Sequence, residues 1–321
     1  MPATIPVTVE NFVRAEADRY FDGLVKRNGF GRFAHARALA PVERQPAAYS
    51  NRDTLYSGAV FDLDAGDVSI TLPDARGRFV SLQAIDEDQY THTLTHDRGP
   101  HVLSRDDVGT RYVLAAVRIF VDSDDPRDVA TVHALQDAIV VHQADPGRFE
   151  IPEWDTSSHA QVRAALRVLA STIPDCRHGF GSRDGVDPLH FLVGSALARG
   201  EHPETDIACV LMRPERNDGA TAHTISLSDV PVEGFWSISV YDADGFFIRN
   251  PLRAHTVNDV TASTELDGSV TVRFGRCGRR TPNCLPIAPG WSCLLRLYRP
   301  RREVLEGRWT LPELHPIMTR A

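Results

Sequence analysis

The densest polar run in a stretch otherwise patterned for strands is Asn51-Arg-Asp-Thr-Leu-Tyr56. Arginine presents a planar fork that fits a carboxylate or carbonyl, tyrosine a hydroxyl donor and aspartate a proton acceptor. Arg52, Asp53 and Tyr56 are therefore candidate catalytic residues, with Asn51 as a ligand-binding neighbour. The same run also has a structural meaning. Asn51 or Asp53 can cap a turn, and an arginine in a surface pair is worth less than about 1 kcal/mol. His92 joins the catalytic candidates as a general base, because an imidazole with a pKa of about 6.5 suits that task. Arg296, a charge built into the apolar strand Cys293–Tyr298, and Tyr241 complete the ligand-binding candidates. Tyr241 can equally be a core aromatic with a satisfied hydroxyl.

The histidines invite a metal reading, which their spacing does not support. On a strand, His92 and His96 share a face but lie ~13 Å apart, too far for one ion with bonds of ~2 Å. His101 adds no ligand spacing, so no metal is expected. Nor does the chain contain His-Glu-x-x-His, Gly-x-Ser-x-Gly, a phosphate loop ending in Gly-Lys, or Gly-x-Gly-x-x-Gly. These absences weigh against a zinc protease, an α/β-hydrolase, a nucleotide hydrolase and a Rossmann dehydrogenase, and no cofactor is expected. Lysine occurs once, as Lys26 near the end of a predicted surface helix. That leaves little room for Schiff-base chemistry.

The elements that must position these residues are strands. Phe235 to Asp244 reads Phe-Trp-Ser-Ile-Ser-Val-Tyr-Asp-Ala-Asp. Trp236, Ile238 and Val240 point to one face, and Ser237, Ser239 and Tyr241 to the other. Phe79 to Asp88 repeats its phenylalanine, serine and both aspartates in register. A second echo, Ser69–Asp74 against Thr224–Asp229, lies just upstream of the first in both halves. The pair of echoes predicts a duplicated strand-turn-strand unit, one copy per half. Asp86 and Asp242 fall at equivalent strand ends. They are read as structural acids that accept backbone N–H groups or pair with an arginine such as Arg296.

Strands are predicted near 58–63, 67–72, 79–86 and 111–121, and again at 206–213, 222–227, 235–242, 269–275 and 292–298. A helix over 9–27, capped by Thr8, precedes the first set. Three more helices interrupt the two sets: one opened by Asp125-Pro126, one by Ser158 with Gln161 in capping-box spacing, and one by Asp187-Pro188 and closed by Gly200. The fold class is mainly β with interrupting helices (α+β), as two jelly-roll-like antiparallel β domains related by internal duplication. Residues 1–150 form the N-terminal helix and first β domain, and 151–321 a helical connection and the second.

Composition bounds the rest. A net charge of −8 argues against a general nucleic-acid surface, which needs clustered cations. No run approaches the ~18 apolar residues of a membrane span, and no signal segment opens the chain. Cys176, Cys209, Cys277, Cys284 and Cys293 are an odd number without a Cys-x-x-Cys pair. They fit neither a disulfide framework nor a zinc ribbon, so a reduced cytoplasmic protein is expected.

Asn51-Arg-Asp-Thr-Leu-Tyr-Ser57, Asp62-Leu63 and Phe79 to Asp86 resemble the domain-of-unknown-function family 1254. Phe235 to Phe247, Asn250-Pro251, Asp267-Gly268-Ser269, Asn283, Leu285-Pro286, Leu295-Arg-Leu-Tyr298 and Trp309 resemble family 1214. The resemblance implies a double jelly-roll-like architecture and implies no reaction. The chain departs from the 1214 pattern at Leu252-Arg-Ala-His255, where relatives tend to carry asparagine-arginine-tyrosine, and at Cys284, where a tryptophan is usual. Three classes of function follow. One is an enzyme, hydrolase- or lyase-like, acting on a small organic molecule in a pocket in or between the β domains. The second is a non-catalytic binder of such a molecule, and the third a structural module assembling as a homo-oligomer.

Overall fold

The computed structural model describes residues 4–45, 47–173, 177–197 and 202–317. By internal contacts the chain forms two compact units, neither continuous in sequence. The first comprises Met1–Arg37, Leu55–Phe120 and Val129–Pro203; the second comprises Ala38–Thr54, Val121–Asp128 and Glu204–Ala321. The sequence places a single boundary at 150. Here the helical stretch after 150 lies with the first unit, and an early stretch, 38–54, lies with the second.

In chain order the elements are α1 Phe12–Val25, β1 Ala34–His35, β2 Thr54–Asp62, β3 Val68–Leu72, β4 Val80–Asp86, β5 Thr91–Thr95, β6 Gly99–Leu103, α2 Arg105–Val108, β7 Tyr112–Phe120, α3 Pro126–Asp137, β8 Val140–His142, α4 Thr156–Ala170 and α5 Pro188–Leu197. There follow β9 Ile207–Met212, β10 His223–Leu227, β11 Trp236–Tyr241, β12 Thr256–Asn258, β13 Val270–Phe274, β14 Cys284–Leu285, β15 Ser292–Tyr298, α6 Arg302–Leu305 and β16 His315–Pro316. The fold is mainly β, with two sheets in each unit.

The first unit has a sheet in the order β1-β2-β7-β4-β5 and a second, β6-β3-β8. The second unit has β12-β11-β15-β9 and β14-β13-β10-β16. Matched in chain order, β2-β7-β4-β5 corresponds to β9-β15-β11-β12, and β6-β3-β8 to β13-β10-β16. The strands carrying the two sequence echoes, β4 with β11 and β3 with β10, hold the same place in each unit. Among the described strand ladders, β13–β14 is parallel and the others given are antiparallel, while isolated parallel bridges join Phe30 to Val60 and Ile5 to Trp154.

In the second unit Trp236, Ile238 and Val240 face a core shared with Ile225, Val272, Phe274, Trp291, Cys293 and Leu295. This is the apolar face that the alternation predicts. The opposite face of β11, carrying Ser237, Ser239 and Tyr241, is just as fully buried. The stretch 38–54 packs over it, with Val42 and Tyr49 against Tyr241, Phe247 and Leu294. In the first unit α1 covers the outer face of the larger sheet, Ala17, Phe21 and Leu24 meeting Val60, Ile85 and Leu114.

Three local expectations are corrected. Thr8 does not cap α1: its backbone N–H donates to Asn11 Oδ1 at 2.8 Å, and the cap position is Asn11. Helix α4 starts earlier than Ser158, because Asp155 is the cap, accepting the Ser158 N–H at 2.7 Å. Cys277 and Cys284 form a disulfide with a Cα–Cα distance of 5.6 Å. The chain leaving β13 loops over 275–283 and returns so that β14 runs parallel beside the end of β13, Cys284 next to Arg273, which brings together two cysteines that spacing alone does not pair. Gly200 and Cys176 lie outside the described residues.

Candidate functional site

The candidate residues divide between the units. Asn51, Arg52, Asp53, Tyr241 and Arg296 come together in the second, whereas Tyr56, Asp86 and His92 belong to the first. The second-unit group exists because the arm 38–54 crosses the polar face of β11 and β15.

Asp53 is 1% exposed. Its backbone N–H donates to Asn51 Oδ1 at 2.7 Å, and the Asn51 Nδ2 donates to the Tyr298 hydroxyl at 2.8 Å, so Asn51 shapes the turn and ties it to β15. Arg296 stands directly opposite Ser237 in the β11–β15 ladder. Its Nη2 donates to Tyr49 O at 2.5 Å and to the Tyr241 hydroxyl at 3.0 Å. The Tyr241 hydroxyl donates onward to Ser50 O at 2.7 Å. Arg296 thus holds the arm by its backbone carbonyls.

A directional chain of hydrogen bonds also links this cation to Asp53. Arg296 Nη1 donates to Ser239 Oγ (3.3 Å), Ser239 Oγ to Thr256 Oγ1 (3.3 Å), and Thr256 Oγ1 to Asp53 Oδ1 (3.1 Å). Burial pushes the Asp53 carboxyl above its ordinary range, opposed by the Ser237 hydroxyl, the Arg296 charge and the bonds from Asn258 and Thr256. Asp53 Oδ2 and Ser237 Oγ are buried, and the hydroxyl lies beside the carboxyl without completing a hydrogen bond of ordinary geometry.

Arg52 differs from Arg296. It is half-buried, and its guanidinium lies over the Phe247 ring at 5.6 Å with Nη1 donating to Ala40 O at 3.0 Å. Among the described residues it forms no ion pair. Burial lowers its pKa, while Asp124, Asp53 and Glu43 favour its charge from a distance. Gln45 fixes Phe247 by its backbone, accepting the N–H at 2.8 Å and donating to the carbonyl at 2.9 Å. His255 also packs against that ring, 5.6 Å between centroids and 8% exposed. Burial, then the Arg52 charge, pushes its pKa down to about 4. Asn250 Nδ2 donates to its Nδ1 at 3.1 Å, so the neutral ring carries its proton on Nε2. Arg52, Phe247 and His255 form one group: a cation, an aromatic ring and a neutral imidazole with an N–H to offer.

The close approach of arm to turn needs a glycine. Tyr49 N–H donates to Gly245 O at 2.7 Å, Gly245 has φ +85°, and a Cβ there would come within 2.9 Å of the Tyr49 ring. The turn itself repeats between units. Asp242 Oδ1 accepts the N–H groups of Asp244 (3.0 Å) and Phe246 (2.9 Å), just as Asp86 Oδ1 accepts those of Asp88 (2.8 Å) and Tyr90 (2.9 Å). Neither acid meets Arg296. Only the first copy adds a histidine: His92 Nε2 is 2.8 Å from Asp86 Oδ2. His96 bonds instead to Val80 O and His101 to Asp97 O. Tyr56 lies in the first unit, its ring under the Arg118 guanidinium at 5.2 Å.

Sequence reasoning found Arg52 and missed the Phe247 ring beside it, as well as Gln45, which holds Phe247 from about 200 positions away. His255 was visible only as a departure from the family pattern.

A structure search finds the VPA0106 protein from Vibrio parahaemolyticus, with a TM-score of 0.73 at 17% identity, covering 97% of this chain and 98% of that one. It also finds an uncharacterized protein from Burkholderia cenocepacia, with a TM-score of 0.51 at 12% identity, covering 96% and 86%. At these identities the likeness is one of fold. No curated protein matches the chain. Among family models, residues 30–105 match "Protein of unknown function (DUF1254)" and residues 213–302 match "Protein of unknown function (DUF1214)". The two signatures read in the strands are therefore those of a DUF1254 segment followed by a DUF1214 segment.

Proposed function

We propose that the protein binds a small organic carboxylate through Arg52 in the second unit. The observation that carries this reading is the guanidinium itself: half-buried, stacked on Phe247, and forming no ion pair among the described residues. A charge taken partly out of water is stabilised by an anionic partner, and a planar fork selects a planar one. His255, neutral and holding its proton on Nε2, supplies a second donor beside it. Asn51, Asp53, Tyr241 and Arg296 serve this reading by fixing the arm that carries Arg52. The test is a thermal-shift series of small carboxylates against wild type and Arg52→Gln. A rise in melting temperature that saturates in wild type and is clearly smaller in the variant supports the reading; equal behaviour of the two proteins refutes it.

Turnover, hydrolase- or lyase-like, is a second reading, favoured by His92. Its Nε2 is held by a buried carboxylate, Asp86, which orients the ring and leaves Nδ1 as a base. The matching turn of the second unit works with no histidine, so backbone support alone does not require one. We also infer that the two units arose by internal duplication, from the matching sheet orders and matching aspartate turns. A homo-oligomer belongs to the proposal as well, whereas the cytoplasmic location expected from the cysteine count does not. No described helix is long and apolar enough to cross a membrane, and the Cys277–Cys284 disulfide counts against a reducing compartment.

A further inference from the structure

The second unit displays what a serine facing an arginine across its central strands can do. Ser237 of β11 and Arg296 of β15 are direct cross-strand partners, so their side chains lie on one face. Both favour the ionised form of the buried Asp53 carboxyl. The first unit repeats the pair at the same place. Ser81 of β4 stands opposite Arg118 of β7, on strands that match β11 and β15 in sheet order, and Ser81 and Ser237 occupy the same position of the Phe-x-Ser echo.

Three observations make this second pair more than a relic. The Ser81 side chain is fully buried, and its Oγ has no hydrogen-bond partner among the described residues, which is costly for a hydroxyl. Arg118 is 8% exposed and packed over the Tyr56 ring, which fixes the plane of its guanidinium. Gln83, two residues along the same face of β4, is also fully buried and donates to Thr91 Oγ1 at 3.1 Å, so the polar character of this face is continuous. Arg118 need not be idle to take part, since a guanidinium has five N–H groups and serves several acceptors at once.

We propose that Ser81 and Arg118 form a carboxylate-binding centre in the first unit that takes the carboxylate of a small organic acid. It is distinct from the Arg52 group. The ligand carboxylate accepts from the Ser81 hydroxyl and from Arg118, with Tyr56 as the surface against which the arginine is held.

The test uses the full chain. Crystals soaked in 4-bromobenzoate are read by bromine anomalous scattering, and benzoate affinity is measured in solution for wild type, Ser81→Ala and Arg52→Gln. The expected result is a bromobenzoate carboxylate within hydrogen-bond reach of Ser81 and Arg118. With it comes a binding step weakened at least tenfold in Ser81→Ala, whose melting temperature is no lower than wild type because an unpaired hydroxyl has been removed. Bromobenzoate beside Arg52 alone, with Ser81→Ala melting higher and binding as wild type does, overturns the centre and leaves the Arg52 reading standing. Density at neither place, with no benzoate binding by any of the three proteins, overturns both.

Discussion

Asp53 and Arg296 look like a buried ion pair, and they are predicted not to behave as one. Arg296 is anchored by neutral acceptors: the carbonyl of Tyr49, the Tyr241 hydroxyl and Ser239 Oγ. The link from Arg296 to Asp53 among the described residues runs through two hydroxyls, and burial holds the Asp53 carboxyl above the ordinary range. In Asp53→Asn, the amide oxygen can still accept from Thr256 and Asn258, and the new NH2 can donate to Ser237 Oγ. The substitution should therefore change stability at pH 7 by no more than about 1 kcal/mol in the unfavourable direction. Arg296→Gln leaves the buried Tyr49 carbonyl without its guanidinium donor and breaks the link to the Tyr241 hydroxyl, and should cost about 3 kcal/mol.

The pH dependence gives the sign. A carboxyl whose folded pKa is raised contributes most to stability below its unfolded value of about 3.9, and that contribution is lost as pH rises through the folded value. The stability of Asp53→Asn relative to wild type should therefore improve from pH 4 to pH 7. Urea unfolding followed by tryptophan fluorescence measures it, because Trp236 and Trp291 lie in the second unit's core. The reasoning is refuted if Asp53→Asn is more than about 3 kcal/mol less stable at pH 7 and recovers at pH 4, as an ion pair of ionised partners would.

The His255 ring should titrate near pH 4 by NMR. A depressed folded pKa means that its contribution to stability is lost as pH falls from about 6.5 through the folded value, so His255→Phe should flatten that limb; a ring titrating near 6.5 would contradict the burial argument. Alkylation of the unfolded, unreduced chain should modify three of the five cysteines and spare Cys277 and Cys284, and reduction should cost about 2 kcal/mol of stability. Five modified cysteines would show the bond does not form.

What the sequence makes legible here is what repeats or alternates. The strands carrying the Phe79 and Phe235 echoes, and the aspartate turns that end them, come from a period of two and from local turn chemistry, both contained in a dozen residues. Strands β5, β6, β8 and β12 are short or polar, carry weak alternation, and were not predicted. The second burial of β11 was not legible either, because its Ser237, Ser239 and Tyr241 read as a half-polar face. That face is covered by the arm, some 190 positions upstream, whose anchors are backbone carbonyls that no side-chain pattern records. Asn51, Arg52 and Asp53 stood out by type. Their separation from Tyr56, three positions on, follows from the chain passing out of the second unit between Thr54 and Leu55.

The central claim is that Arg52 with His255 receives a planar acid. The most direct measurement is a crystal structure of the full chain soaked with the carboxylate that gives the largest thermal shift, inspected beside these two residues. The account predicts a carboxylate bonded to the Arg52 fork, with His255 Nε2 donating to the same molecule. Water alone around Arg52, at an acid concentration that saturates the shift, would contradict it.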